Sequence, residues 1–392
     1  MARSDIDVLV AGGGIVGLSV AWTAARRGLR VTVLERERVG AGASSVAAGM
    51  LAPVSEVEYG EAGRRQLDLG RRSAGMWPAF ASALEEASGV EVGLRSCGTL
   101  LLARDADDAR ELDRQLELRT SLGLHVTRLR GSEAREREPA LASCVRAALE
   151  VPDDHAVDPR LVLAALARAC RDAGVDLREG ANVESIERDP AGERVLGVVL
   201  AGGESVRAER VVLAVGAWTP ALAGLPPEAQ VPVRPVKGQI VRLRDPEGPG
   251  MLRSVLRHPR GYLVPREDGG YVLGGTVEER GYDLAPTAGG VHELLRDAYE
   301  LVPGVAELQI EELSVGLRPG TPDNAPVVGA GAIEGLVWAT GHHRNGVLLA
   351  PLTAELVAGV LCDEAPDAAL LQACAADRFA PAAPGAPVEL VS

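Results

Sequence analysis

The feature that most constrains this chain is Gly12-x-Gly14-x-x-Gly17, set between an apolar run, Asp5–Ala11, and a helical pattern, Leu18–Arg27, with a second apolar run at Arg30–Leu34. Strand, glycine turn, helix and strand in that order predict a βαβ unit. Each glycine has a mechanical reason. Gly12 permits a tight turn, Gly14 lets backbone approach a pyrophosphate, and Gly17 allows the helix to pack closely on the strand. Ile15 and Val16 lead from the turn into the helix N-terminus, which offers free N–H groups and a positive dipole to phosphate. Glu35 closes the next strand eighteen residues after Gly17, placed to accept hydrogen bonds from ribose hydroxyls and to disfavour a 2′-phosphate; Arg36 follows it. The expected ligand is a dinucleotide.

The remaining pattern is that of an α/β protein with two kinds of sheet. Gly60–Ser88 and Asp105–Leu122 read as amphipathic helices around a strand-like Gly98–Ala103. Asp158-Pro159 begins a new unit, with a helix at Leu161–Ala173 and strands at Val175–Arg178, Val183–Arg188, Val195–Leu200 and Arg210–Val215. From Pro232 to Thr276 strand-like runs alternate with Gly/Pro turns, which predicts a mixed or antiparallel sheet. Gly335–Thr340, Gly341–Gly346 and Val347–Leu361 return to strand, glycine turn and helix. The architecture expected is a Rossmann-like dinucleotide domain (1–86, 147–220 and 326–379) interleaved with a mixed/antiparallel-sheet substrate domain (87–146 and 221–325), and a loosely held Pro/Ala-rich tail at 380–392.

Composition narrows the partners. A net charge of -14, from 41 basic and 55 acidic side chains, argues against nucleic acid or an anionic membrane and leaves small molecules as the expected partners. The longest apolar stretch, Val8 to Trp22, is broken by four glycines, so neither a membrane span nor a signal peptide is expected. Five scattered cysteines without a C-x-x-C pair suggest a reducing, cytoplasmic setting. The adjacent His342 and His343 lack a ligand cluster, so no metal site is expected.

At Arg36–Met50 the chain reads RERVGAGASSVAAGM, and here it resembles the D-amino-acid oxidase family of flavoproteins. The resemblance implies non-covalent FAD, with Ser44, Ser45, Ala48, Gly49 and Met50 running along the pyrophosphate and isoalloxazine, where small side chains suit close backbone approach. Val183, Gly216 and Trp218 match later FAD-packing segments of the family. RPVKGQI at 234–240, GLRPGTPDNAPVVG at 316–329 and ATGHHRNGVLLAP at 339–351 resemble its glycine oxidase branch, associated with thiazole synthesis for thiamine. That likeness implies Arg318 as the substrate-carboxylate anchor, since an arginine fork orients as well as holds a carboxylate. It implies Tyr262 as a hydroxyl supporting the same carboxylate, and His342, Arg344, Asn345 and Gly346 as a turn beneath the flavin, with Arg344 adding charge.

The implied activity is oxidation of glycine, with sarcosine and small D-amino acids left open, by FAD and O2, giving imine or glyoxylate and hydrogen peroxide, in a homo-oligomer of the tetrameric kind. The alternative is a D-amino-acid dehydrogenase with a non-oxygen acceptor. Sarcosine oxidase is disfavoured, because its covalent flavin cysteine aligns with Gly316 and its oxygen-activating lysine with Leu273. This chain also departs from the glycine oxidase branch, which carries histidine at position 260 and methionine at 277, where Arg260 and Val277 stand.

Lys237 is the only lysine, the other 40 basic residues being arginine. Either it survives on the surface by chance, or a compact point charge is needed in a narrow place at a strand entering the substrate domain.

Overall fold

The computed structural model describes residues 5–364 and 366–379; the expected 380–392 tail lies outside them. The sequence folds around the strand Val8–Ala11, whose four residues are all buried. It pairs in parallel with Val31–Glu35 on one side and Arg210–Leu213 on the other. The six-stranded sheet runs Val327–Ala330, Leu336–Thr340, Arg210–Leu213, Val8–Ala11, Val31–Glu35, Asp176–Glu179. Only its Val327–Ala330 edge is antiparallel. Near-continuous Val/Leu runs fit strands covered on both faces. Helices Ile15–Arg26, Gly60–Ser88, Pro159–Asp172 and Ala350–Leu361 form one cover through a core that includes Leu18, Trp22, Trp77, Leu166 and Val357. A three-stranded antiparallel sheet, Val183–Arg188, Val195–Leu200 and Ser205–Arg207, forms the other.

Local signals explain the element ends. The Asp158 carboxylate accepts from the Arg160 and Leu161 amides and Pro159 opens the helix, a cap followed by a preset φ. Asp105 caps its helix in the same way through the Asp107 and Asp108 amides. Gly89, with φ +67°, ends the long Gly60–Ser88 helix in the left-handed conformation that glycine adopts most readily. The first helix begins at Ile15, three residues earlier than the sequence pattern suggested, because Gly14 serves as its N-cap and the last motif glycine lies inside the helix. The last long helix begins at Ala350 rather than Val347, with Pro351 in its first turn.

The second sheet has eight strands in the order Gln309–Gly320, Arg234–Arg244, Gly270–Gly274, Gly261–Pro265, Val255–His258, Thr99–Ala103, Ala147–Val151, Thr127–Arg130. It is antiparallel except where Val255–His258 runs parallel to Thr99–Ala103, so it is mixed, as expected. The expected boundary at 147 is corrected here. Ala147–Val151 pairs on both edges inside the eight-stranded sheet, and an apolar run alone carries no mark of which sheet it joins. The helix Ala288–Leu301 covers one face of this sheet through Leu294, Ala298 and Leu301. The other face, through Gly238, Ile240, Tyr262 and Arg318, lines a cavity that Gly12, Gly14 and Glu35 also line.

Candidate active site

The 12–17 turn is a cradle in which side chains are excluded by backbone. A Cβ on Gly12, where φ is +107°, would stand 2.4 Å from the Ala214 carbonyl oxygen, and one on Gly17 would stand 2.0 Å from the Gly12 oxygen. Glu35 accepts hydrogen bonds from the Gly13 amide (2.8 Å) and the Glu37 amide (3.0 Å). An ionised carboxylate has about four acceptor positions, so roughly two remain for hydroxyl groups. The Ser44 hydroxyl accepts from the Ile15 amide at 3.0 Å and so fastens the small-residue segment to the helix N-terminus. Beside Glu35 the Arg36 guanidinium lies 3.6 Å from the centroid of the Trp218 ring, a cation–π stack at the cavity wall.

From this cradle a cavity of about 1200 Å³ extends to the eight-stranded sheet. Gly12, Gly14, Ile15, Val16, Glu35, Arg36, Ser44, Ala48, Gly49, Met50, Val183, Gly216, Trp218, His342, Arg344 and Gly346 all line it, together with Tyr262 and Arg318. Three of the residues read from sequence as cofactor-binding are not on the lining. Gly17 is packed against Gly12, as its motif role requires. Ser45 turns its hydroxyl to the Gly42 oxygen and its carbonyl to Arg160 and Arg242. Asn345 is engaged through its main chain, donating to the His342 oxygen and accepting from Leu349. The glycine cradle, the acidic residue and the cavity's size are those a dinucleotide requires.

At the sheet end the strands Arg234–Arg244 and Gln309–Gly320 pair with Val236 opposite Arg318 and Gly238 opposite Gly316. Diagonal neighbours on one face of a sheet lie within reach of a long side chain, and the Arg318 guanidinium accordingly lies over Gly238. A Cβ there would stand 2.4 Å from both Nη atoms. Arg318 Nη1 donates to the Thr276 carbonyl at 2.9 Å. A Cβ on Gly274 would stand 2.6 Å from the Tyr262 hydroxyl, and one on Gly275 would meet Arg318 Nη2 at 3.0 Å and that hydroxyl at 3.1 Å. Three glycines thus leave the room that Arg318 and Tyr262 occupy. Burial raises the Tyr262 phenol above its ordinary pKa against the opposing pull of Arg318, so the hydroxyl keeps its proton and can donate.

The 341–346 turn is pinned to the same strand, since the His343 amide donates to the Pro319 oxygen at 2.9 Å. His343 has φ +47°, a left-handed backbone in a non-glycine residue that lines the cavity. Burial, then the nearby Arg344, Arg318 and Arg234, push its imidazole down to about 3. Burial alone pushes His342 down to about 4, and its Nε2 lies 2.9 Å from the Thr353 hydroxyl. Both rings are neutral near pH 7. Arg344 is the most exposed of the group, 3.9 Å from Glu58.

Sequence reasoning missed Gly238, Gly274, Gly275, His343 and Glu56, all but Gly274 on the lining. Gly238 stood inside the quoted RPVKGQI, but its meaning depends on a partner eighty residues away in the chain, Arg318. Leu273 is buried in the core behind the cavity, paired with Val241 and Leu263. Among the described residues no His/Cys/Asp/Glu group could hold a metal ion, and no helix is long and apolar enough to cross a membrane.

Comparison with known proteins agrees over nearly the whole length. The bifunctional protein ThiO/ThiG of Synechocystis sp. is 36% identical over 368 residues, covering 92% of this chain and 52% of that protein. The chain therefore spans about half the length of that relative. The glycine oxidase of Geobacillus kaustophilus is 36% identical over 357 residues, covering 91% of this chain and 92% of that one. The crystal structure of glycine oxidase from Geobacillus kaustophilus superposes with a TM-score of 0.85 at 35% identity, covering 93% of this chain and 97% of that chain. The family model described as FAD dependent oxidoreductase matches residues 7–360, and with these relatives it shows that the chain belongs to the DAO family of FAD-dependent oxidoreductases.

Proposed function

We propose that the protein oxidises the Cα–N bond of glycine, with sarcosine and small D-amino acids as further candidates, using non-covalent FAD and O2. The observation that carries this reading is the Arg318–Tyr262 pair, housed by Gly238, Gly274 and Gly275 at one end of a cavity whose other end is the dinucleotide cradle. Gly12–Gly14, the helix N-terminus, Glu35 and the 44–50 segment would hold FAD. When bound, FAD supplies acceptance of hydride and reoxidation by oxygen, which balances two electrons and two protons lost from the amino acid against formation of hydrogen peroxide.

The chain's own residues bind and orient. Arg318 donates two parallel hydrogen bonds to the substrate carboxylate and fixes Cα with it, and the neutral Tyr262 hydroxyl adds a third. The neutral His342 and His343 leave positive charge near the carboxylate to the arginines. Orientation and electrostatics then supply most of the barrier reduction. The product is the imine, which water converts to glyoxylate and ammonia; in the thiazole-synthesis role the imine itself is consumed. The six-stranded sheet with its small companion sheet serves as the cofactor unit, and the eight-stranded sheet as the substrate unit.

The test is steady-state peroxide and glyoxylate production on glycine, sarcosine, D-alanine and D-proline in air. Turnover of glycine with stoichiometric peroxide supports the reading. Amino-acid oxidation only with an added electron acceptor, and no oxygen uptake, would replace it with the dehydrogenase alternative.

A further inference from the structure

Lys237 stands on the cavity-bearing strand Arg234–Arg244 but on its other face. Gly238 and Ile240 line the cavity, whereas Lys237 and Gln239 alternate to the back, where the Lys237 side chain has 0% exposure. The surface reading of the only lysine is therefore excluded. Its Nζ donates to Asp283 Oδ2 and to the Ala285 carbonyl, both at 2.6 Å. Both acceptors belong to the 275–287 segment, a strap that leaves the sheet after Gly274 and supplies Gly275, Thr276, Val277 and Glu278 to the cavity wall.

The strap is tied to the same strand at its near end. The Lys237 amide donates to the Glu278 oxygen (2.9 Å) and the Glu278 amide returns to the Lys237 oxygen (3.0 Å). The Gln239 amide donates to the Thr276 hydroxyl at 2.9 Å. Its side chain spans Glu278 and Thr287. Thr276 then presents its carbonyl to Arg318 Nη1 at 2.9 Å, with the Lys237 carbonyl at 3.5 Å from the same nitrogen. One residue therefore grips the far part of the strap with its ammonium and the near part with its main chain, and the strap holds the guanidinium.

We propose that Lys237 is a positioning residue for substrate binding, fixing the 275–287 strap so that the Thr276 carbonyl holds Arg318 in its carboxylate-binding pose. The inference rests on Arg318 being the carboxylate anchor. Because the Asp283 side chain is 45% exposed, the ion pair itself is weak evidence for stability, and the better attested use of such a pair is to specify one arrangement. The identity of the cation fits that use. Two acceptors converge on one nitrogen in an enclosed space, which suits a compact ammonium and not a planar guanidinium. This accounts for a lysine in a chain that uses arginine at the 40 other basic positions.

The test compares Lys237→Arg, Lys237→Met and Asp283→Asn holoenzymes with wild type and with Arg318→Leu. It reads KM and kcat on glycine, and the Kd of acetate from the shift of the flavin absorption bands. Expected are a KM and an acetate Kd raised about tenfold in Lys237→Met, a loss of about 1.4 kcal/mol, and kcat within about threefold, with FAD content retained. Lys237→Arg and Asp283→Asn should follow in the same direction, and the half-exposed Asp283 gives a readable variant if Lys237→Met does not fold. KM and acetate Kd within twofold of wild type in all the variants that fold would overturn the inference, as would activity lost only through lost FAD. If Arg318→Leu also left both constants unchanged, the anchor itself would be refuted, and the positioning role with it.

Discussion

Gly238→Ala changes one hydrogen to a methyl group and should disable the site while leaving the fold intact. Gly238 is not among the glycines with positive φ, so alanine suits the backbone, and the reduced freedom of the unfolded chain favours it slightly. The methyl group would fall 2.4 Å from both Nη atoms of Arg318 and 2.5 Å from Cζ, against ordinary contact at 3.4 Å. The guanidinium must therefore retreat by about 1 Å, the difference between those two distances. Its side chain is flexible enough to do so at small cost in stability. Its function is not so tolerant. The 2.9 Å bond to the Thr276 carbonyl breaks, and a misplacement of about 1 Å in a positioning group costs about 10²-fold in rate, or roughly 2.7 kcal/mol.

The assay is kcat/KM for glycine by peroxide release, with melting temperature and FAD content as controls, on Gly238→Ala, Arg318→Leu and the double variant. If the methyl acts by displacing Arg318, the double variant should be no worse than Arg318→Leu alone. Additive losses, or an unchanged Gly238→Ala, would refute the reasoning.

Other expectations follow from the same geometry. Arg318→Leu should lower kcat/KM for glycine by several orders of magnitude with FAD retained, and a change below about tenfold, or 1.4 kcal/mol, would remove it as the anchor. The purified protein should be yellow, and denaturation with ultrafiltration should release all the colour; flavin left on the polypeptide would contradict the reading of Gly316. Stability should fall as pH drops from about 6.5 towards 4. His258, His342 and His343, pushed down by burial to about 4, about 4 and about 3, stay neutral in the native state while the unfolded chain takes up protons. Asp154, raised by burial to about 6, acts in the opposite direction between about pH 4 and 6, so the histidines dominate three to one. Thermal melts across that range, with a flat or rising Tm on acidification, would contradict the assignment.

How much of this was legible in the sequence depended on whether the cause was local. The Gly60–Ser88 helix, the Val183–Arg188 and Val195–Leu200 strands and the dinucleotide turn were readable because periodicity, caps and glycine spacing act over a few residues. One cavity is lined by Tyr262, Arg318, His342, His343, Arg344 and Gly346, residues far apart in the chain. Gly238 was out of reach because its role arises from the pairing of two strands, and Ala147–Val151 was misassigned because sheet membership is a long-range property. His343 looked like a neighbour of His342, and only its pinned left-handed backbone turns it into the cavity wall. For Lys237 the usual exposure of lysine argued for the surface, while its singularity argued for a special place. The burial of its side chain and its bonds to Asp283 and Ala285 decide for the latter.

The most direct test of glycine oxidation is anaerobic mixing of the FAD-loaded protein with millimolar glycine in a stopped-flow spectrophotometer. The account predicts loss of the oxidised-flavin absorbance, its return with one equivalent of hydrogen peroxide when oxygen is admitted, and no bleaching in Arg318→Leu at the same concentration. An oxidised spectrum that persists through prolonged incubation with glycine, sarcosine and D-alanine would contradict it.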